Sequence, residues 1–164
     1  DISHEDIVYP AGHVLQTLAS YVSSTNGGHI TTTSNTYTNR TDVQVAITSR
    51  QANSNFLIHL HAGMALGNGD RLQVDIQRAI TGGATTDAIV GVSAYSTNHY
   101  GFLHTRGPDT WSSLGGSFLD DPGTVDAGTI ITYTVQIRND DNATTVYFCH
   151  GYSQGSITVQ EVAA

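Results

Sequence analysis

Apolar and polar residues take turns, position by position, along four stretches of this chain. That period of two constrains the fold more than any other feature of the sequence. In "DVQVAIT", Val43, Val45 and Ile47 alternate with Asp42, Gln44 and Ala46. In "RLQVDIQRAI", Leu72, Val74 and Ile76 alternate with Arg71, Gln73, Asp75 and Gln77. In "TIITYTVQIRN", Ile131, Tyr133, Val135 and Ile137 alternate with Ile130, Thr132, Thr134 and Gln136. In "GSITVQEVA", Ile157, Val159 and Glu161 alternate with Thr158 and Gln160. Successive side chains of a strand point to opposite faces, so these segments read as strands with one buried and one wet face. Turn formers punctuate them: Asn26-Gly27-Gly28, Gly67-Asn68-Gly69-Asp70, Thr81-Gly82-Gly83, Asp121-Pro122-Gly123 and Asn139-Asp140-Asp141-Asn142. Short strands at such spacing predict an all-β, jelly-roll-type β-sandwich. "GHVLQTLASYV" fits both a helical face and alternation. It is read as strand, because only Gly follows it as a helix-ending signal. Pro10-Ala11-Gly12 marks a joint, giving an N-terminal arm over residues 1–11 and a sandwich over 12–164.

Composition narrows the function. Charged residues are 12% of the chain, against a usual ~25%. Lysine is absent, so Thr, Ser, Asn, Gln and Gly must keep the surface wet. Net charge is -8 and the six arginines do not cluster, which argues against binding nucleic acid through its phosphates. No apolar run approaches the ~20 residues of a membrane-spanning helix, so membrane insertion is not expected. The pairs Asp120-Asp121 and Asp140-Asp141 sit beside turn formers and read as solvated turns. The sequence opens on Asp1 rather than Met, as a processed or excerpted chain does.

Candidate chemistry is sparse. His59 and His61 lie two apart in "NSNFLIHLHAG" and so share a face, a common start to a metal site. A sandwich metal site of this kind needs a carboxylate a few residues on, and none occurs before Asp70. With Phe56, Ile58 and Leu60 facing the core, the two histidines line the opposite face, in solvent or at a subunit contact. No metal and no cofactor is expected. The single cysteine, Cys149, reads as a small core hydrophobe, and a dyad with His150 is geometrically poor in a strand. Gly115-Gly116-Ser117 reads as a turn, and the chain has neither a nucleophile elbow nor a phosphate loop. Only two glutamates occur, Glu5 and Glu161, and neither suggests a hydrolytic cleft. No catalytic residue is assigned.

Two segments look like contact surfaces instead. "AYSTNHYGFLHTRGPDTW" gathers Tyr95, His99, Tyr100, His104 and Trp111, flat rings suited to a sugar face or a protein partner. The arm carries Ile2, Ile7, Val8 and Tyr9, apolar side chains without an evident strand partner. They are expected to anchor it on another copy or another protein. Asn39-Arg40-Thr41 and Asn142-Ala143-Thr144 match the glycosylation sequon.

Several blocks, in order, resemble a domain of marine bacteriophage tail-fibre and virion structural proteins. "PAGHVLQTLASYVSSTN" resembles its opening strand, and "YTNRTDVQVAITSRQANSNFLIHLHAG" its second block. "LQVDIQRAITGG" and "GSFLDDPGTVDAGTIITYTVQ" resemble the next two, and "GSITVQEVA" its closing strand. Together they span roughly Pro10 to Ala164, with "SFLDDP" and "SITVQEV" the most specific. The second block reads Thr48-Ser49-Arg50 where the family has Thr-Pro-Ser, and the third reads Arg78-Ala79 where it has Arg-Gly. The resemblance implies a non-enzymatic jelly-roll domain on the virion. Its expected form is a homotrimeric fibre or spike head that contacts a host-surface glycan or protein. The alternative is a capsid-decorating or filament-forming subunit, locked to its neighbours by the arm. Expected partners are copies of itself and other virion proteins, not nucleic acid or a membrane interior.

Overall fold

The structure, a computed structural model, describes residues 9–23, 30–66, 71–87, 103–106, 110–139, 145–149 and 154–164. The alternating segments all form strands, because a β-branched or aromatic side chain packs well on a pleated surface. Eleven strands follow one another among the described residues. They are β1 Val14–Ser23, β2 Ile30–Thr32, β3 Thr38–Thr48, β4 Asn55–Leu66, β5 Arg71–Ile80 and β6 Thr85–Asp87. They continue as β7 Leu103–Arg106, β8 Thr110–Asp120, β9 Ile130–Asn139, β10 Val146–Phe148 and β11 Gln154–Val162. None of the described residues forms a helix long and apolar enough to cross a membrane.

In the first sheet β4 is central. β8 runs along one side of it, β11 and then β10 along the other, with β1 beyond β11 and β2 beyond β10. The second sheet runs β3, β9, β5, and both β6 and β7 pair with the far side of β5. Three short pairs, β1/β2, β6/β7 and β10/β11, each serve as one interrupted strand. Counted so, the fold has eight strands, and the first pairs with the eighth, the second with the seventh, the third with the sixth and the fourth with the fifth. Every pairing is antiparallel. A chain doubled back on itself and then rolled gives this nesting, which is the jelly roll.

The core lies between the sheets. Val43, Val45, Ile47, Leu72, Val74, Ile76, Ile131, Tyr133, Val135 and Ile137 come from the second sheet. Phe56, Ile58, Leu60, Met64, Val146, Phe148, Ile157 and Val159 answer them from the first. The rings of Phe56 and Tyr133 meet across the gap with centroids 6.0 Å apart. Burying each large apolar side chain stabilises the fold by about 1.5–3 kcal/mol. The alternation thus placed the core residues of β3, β5, β9 and β11 correctly.

Three expectations need correction. β5 and β9 do not have one wet face. Gln73, Asp75, Thr134 and Gln136 alternate outward, yet all are buried, because the outer face of the second sheet carries its own polar cover. There Gln136 Nε2 donates to Asn39 Oδ1 at 2.7 Å, and Asn39 Nδ2 to Gln77 Oε1 at 2.8 Å. Arg138 Nε donates to Gln73 Oε1 at 2.6 Å, and its guanidinium lies 4.8 Å from the centre of the Tyr37 ring. Asp120 is not in a solvated turn. It is buried against Arg78, whereas exposed Asp121 does shape a turn by accepting from Gly123 N at 2.8 Å. Gly115-Gly116-Ser117 is not a turn but the middle of β8. "GHVLQTLASYV" is a strand, but its apolar alternation is largely unburied. Val14 and Leu18 are exposed, since β1 is an edge strand, and only Val22 packs on the core.

Candidate functional site

The outer face of the first sheet is where the two histidines lie. β4 turns Phe56, Ile58 and Leu60 inward, and the pleat therefore turns Leu57, His59 and His61 outward. Pairing register sets their neighbours across four strands. Tyr21, Ser156, His61 and Gly115 form one row. Ala19, Thr158, His59 and Ser117 form the next, and Thr17, Gln160, Leu57 and Leu119 the third. None of these twelve residues is Asp, Glu, Lys or Arg. Tyr21 is 76% exposed and Leu119 53%, large apolar surface for a face in water. His59 Nδ1 and Ser117 Oγ share a hydrogen bond of 2.8 Å, which fixes the ring across the β4–β8 pair. Gly115 leaves room beside His61: a Cβ there would lie 3.5 Å from His61 Cδ2 and 3.3 Å from the Leu60 carbonyl.

Two polar clusters hold the sandwich rigid behind this face. At one end Glu161, fully buried, faces inward from β11 as the alternation requires. Its carboxylate accepts from Gln16 Nε2 at 2.5 Å, Arg50 N at 2.8 Å, Ser49 Oγ at 3.1 Å and Gln51 N at 3.1 Å. Gln16 Nε2 also donates to the Thr48 carbonyl at 2.6 Å. Elsewhere in the interior Arg78 Nη1 meets Asp120 Oδ1 at 2.6 Å, and Tyr133 Oη donates to Asp120 Oδ2 at 2.7 Å. Arg78 and Tyr133 belong to the second sheet and Asp120 to the first, so this trio crosses the core. Burial, reinforced by the Asp120 carboxylate, holds the Tyr133 phenol well above its ordinary value, which keeps it a donor. Neither cluster opens to solvent as a catalytic cleft does. Sequence reasoning placed Glu161 on the core side but assigned it no partner. Its donors come from β1 and from a turn, all over a hundred residues away, and leave no local mark.

Among the described residues no group of three or more His, Cys, Asp or Glu is placed to hold a metal ion. Cys149 is buried, and burial, then the Asp42 carboxylate, pushes its thiol up to about 12, so it stays protonated.

The aromatic candidates are only partly placed. Tyr95, His99 and Tyr100 lie outside the described residues. Register sets His104, on β7, opposite Gln73 of the second sheet, and Trp111, on β8, opposite Ala65 of the first. Those two therefore do not share a sheet. In the arm, Ile2, Ile7 and Val8 lie outside the described residues. The Tyr9 ring stacks on His13 of the same chain, with centroids 5.0 Å apart and planes 13° apart. The joint after it is tied to the C-terminal end: Gly12 N donates to the Ala163 carbonyl at 2.7 Å, and Ala163 N to the His13 carbonyl at 2.9 Å. Asn142 lies outside the described residues, and the Asn39 amide is engaged on both sides, as given above.

No protein-family model matches the chain, and no curated protein matches it in sequence. Among the solved structures similar to it in fold are the following two. One, a structure of Eiger TNF from S. frugiperda, is 10% identical with a TM-score of 0.40, over 90% of this chain and 93% of that one. The other, from the infectious bursal disease virus Gx strain, is also 10% identical with a TM-score of 0.37, over 92% of this chain and 38% of that one.

Proposed function

We propose that this chain is a non-enzymatic structural domain of a bacteriophage particle, the trimeric head of a fibre or spike that contacts the host surface. The resemblance of its ordered blocks to virion proteins supports the setting. The observation that carries the assembly is the uncharged outer face of the first sheet. Each copy bears a net charge of -8, so copies repel one another wherever acids face each other. The three rows around His59 carry no charge to desolvate, a cost of several kcal/mol per ion in a buried contact. They also offer Tyr21, Leu57 and Leu119 as apolar contact. The outer face of the second sheet, by contrast, carries Arg138 and Asp75. Three copies packed through the first sheet turn the second outward, with β7 and His104 on the outside.

In this reading the arm reaches a neighbour through Ile2, Ile7, Val8 and Tyr9, and Tyr95, His99, Tyr100 and His104 make the receptor contacts, while Trp111 belongs to the sheet through which copies join. Light scattering of the purified chain tests the assembly and should give the mass of three copies. Leu57→Asp and Leu119→Asp should each yield folded monomers, and removal of residues 1–9 a weaker trimer. A wild-type monomer at micromolar concentration overturns the assembly. His104→Ala that adsorbs to host cells as well as wild type removes that residue from the contact.

A further inference from the structure

We propose that the uncharged state of His59 and His61 is what allows this face to meet its copies, so that assembly is strong at mildly alkaline pH and is lost on mild acidification. The inference rests on the assembly through the first sheet argued above, and names its regulation.

Histidine is the side chain whose charge changes between about pH 5 and 8. The surroundings of this pair make such a change consequential. Toward β8 the imidazoles face Gly115 and Ser117. Toward β11 they face Ser156 and Thr158, and beyond these Tyr21 and Ala19 on β1. Behind them the core side of β4 is Ile58, Leu60 and Ala62. None of these is Asp, Glu, Lys or Arg, so none of these neighbours offers a carboxylate to a protonated ring. Tyr21 is the other titratable side chain of the three rows. A second copy brings the same residues and adds no counter-charge. Protonation therefore puts two cations per copy, six per trimer, into a contact that has nothing to pair with them. The hydrogen bond shared by Ser117 Oγ and His59 Nδ1 engages one ring nitrogen. A neutral ring keeps one donor and one acceptor nitrogen, whereas a protonated ring has two donors and a charge.

Each proton that must leave on association changes the dissociation constant by up to about tenfold per pH unit. Two protons per copy make an effect of roughly 100-fold or more between about pH 8 and pH 5. The test is sedimentation of the full chain at those two pH values and constant salt, with far-UV circular dichroism alongside. Wild type should dissociate at the lower pH with its strand signal intact. In His59→Gln/His61→Gln the ratio of the two constants should fall toward one, whatever the variant's affinity at the higher pH. Wild type that stays assembled at both pH values overturns the switch and leaves the assembly standing. Wild type that is monomeric at the higher pH overturns the assembly itself. A double variant that keeps the full pH ratio, or a wild type that unfolds at the lower pH, also overturns the switch.

Discussion

Cys149 sits just past β10 with φ +61°, a left-handed conformation costly for any residue but glycine. Its backbone N donates to the Gly63 carbonyl at 2.6 Å, which holds it there and drives its thiol into the core. Gly155, on β11, faces that thiol so closely that a Cβ built on the glycine would overlap Sγ. The same Cβ would lie 3.3 Å from Phe148 Cε1. A sulfur on one residue and a missing methyl on the other thus fill a single space. Gly155→Ala should destabilise by roughly 3 kcal/mol, the upper end for overpacking a core. Cys149→Ala alone should cost far less, and the double variant should recover most of the loss, a strong coupling between neighbours. Chemical denaturation of the three variants measures the cycle, and additive effects would show that the overlap is relieved elsewhere. The sequence foretold Cys149 as a core residue, because a cysteine in an apolar run is a small hydrophobe. It could not foretell the complementarity with Gly155, which depends on a register that no local pattern reveals.

At the scale of elements, period two was a sufficient guide to which segments are strands, and an insufficient one to what each strand's second face meets. β3 keeps strict alternation because its outward residues stay wet. β5 and β9 are interior strands whose outward amides and guanidinium bury one another. The interruption between β10 and β11 had no signal either. The partner on β4 shifts only from Met64 to Ala62 while the chain runs from Phe148 to Gly155. Glu161 shows how such elements are fixed together. One carboxylate links β11, the Gln16 side chain of β1 and the turn between β3 and β4, and its acceptor oxygens satisfy four donors. Glu161→Gln keeps the shape but sets an NH₂ group against those donors. The variant should lose about 3 kcal/mol, since buried donors left unpaired cost ~1–3 kcal/mol each. Amide hydrogen exchange at Arg50 and Gln51 should quicken first. Unchanged protection there would mean that something other than Glu161 holds the turn.

For the whole molecule, the candidate face was half legible. Its histidines and their outward direction followed from the alternation around Phe56, Ile58 and Leu60. Its neutrality did not, because it emerges only when segments near residues 20, 60, 115 and 158 are laid side by side. That neutrality has a consequence for how copies meet. A molecule of net charge -8 is repelled by its copies over distances of about the Debye length, ~10 Å at 0.1 M salt. A contact made of Thr, Ser, Gln, Leu, Tyr and neutral His has no ion pairs for salt to weaken. Screening then removes repulsion and takes away no attraction. Raising sodium chloride from about 20 to about 300 mM at mildly alkaline pH should therefore tighten assembly several-fold, as screening of exposed charge predicts. Had copies met through Arg138, Asp75 and their surroundings, the same salt would loosen them. Sedimentation equilibrium across that range separates the two, and a dissociation constant that rises with salt would rule out the first-sheet face as the place where copies join.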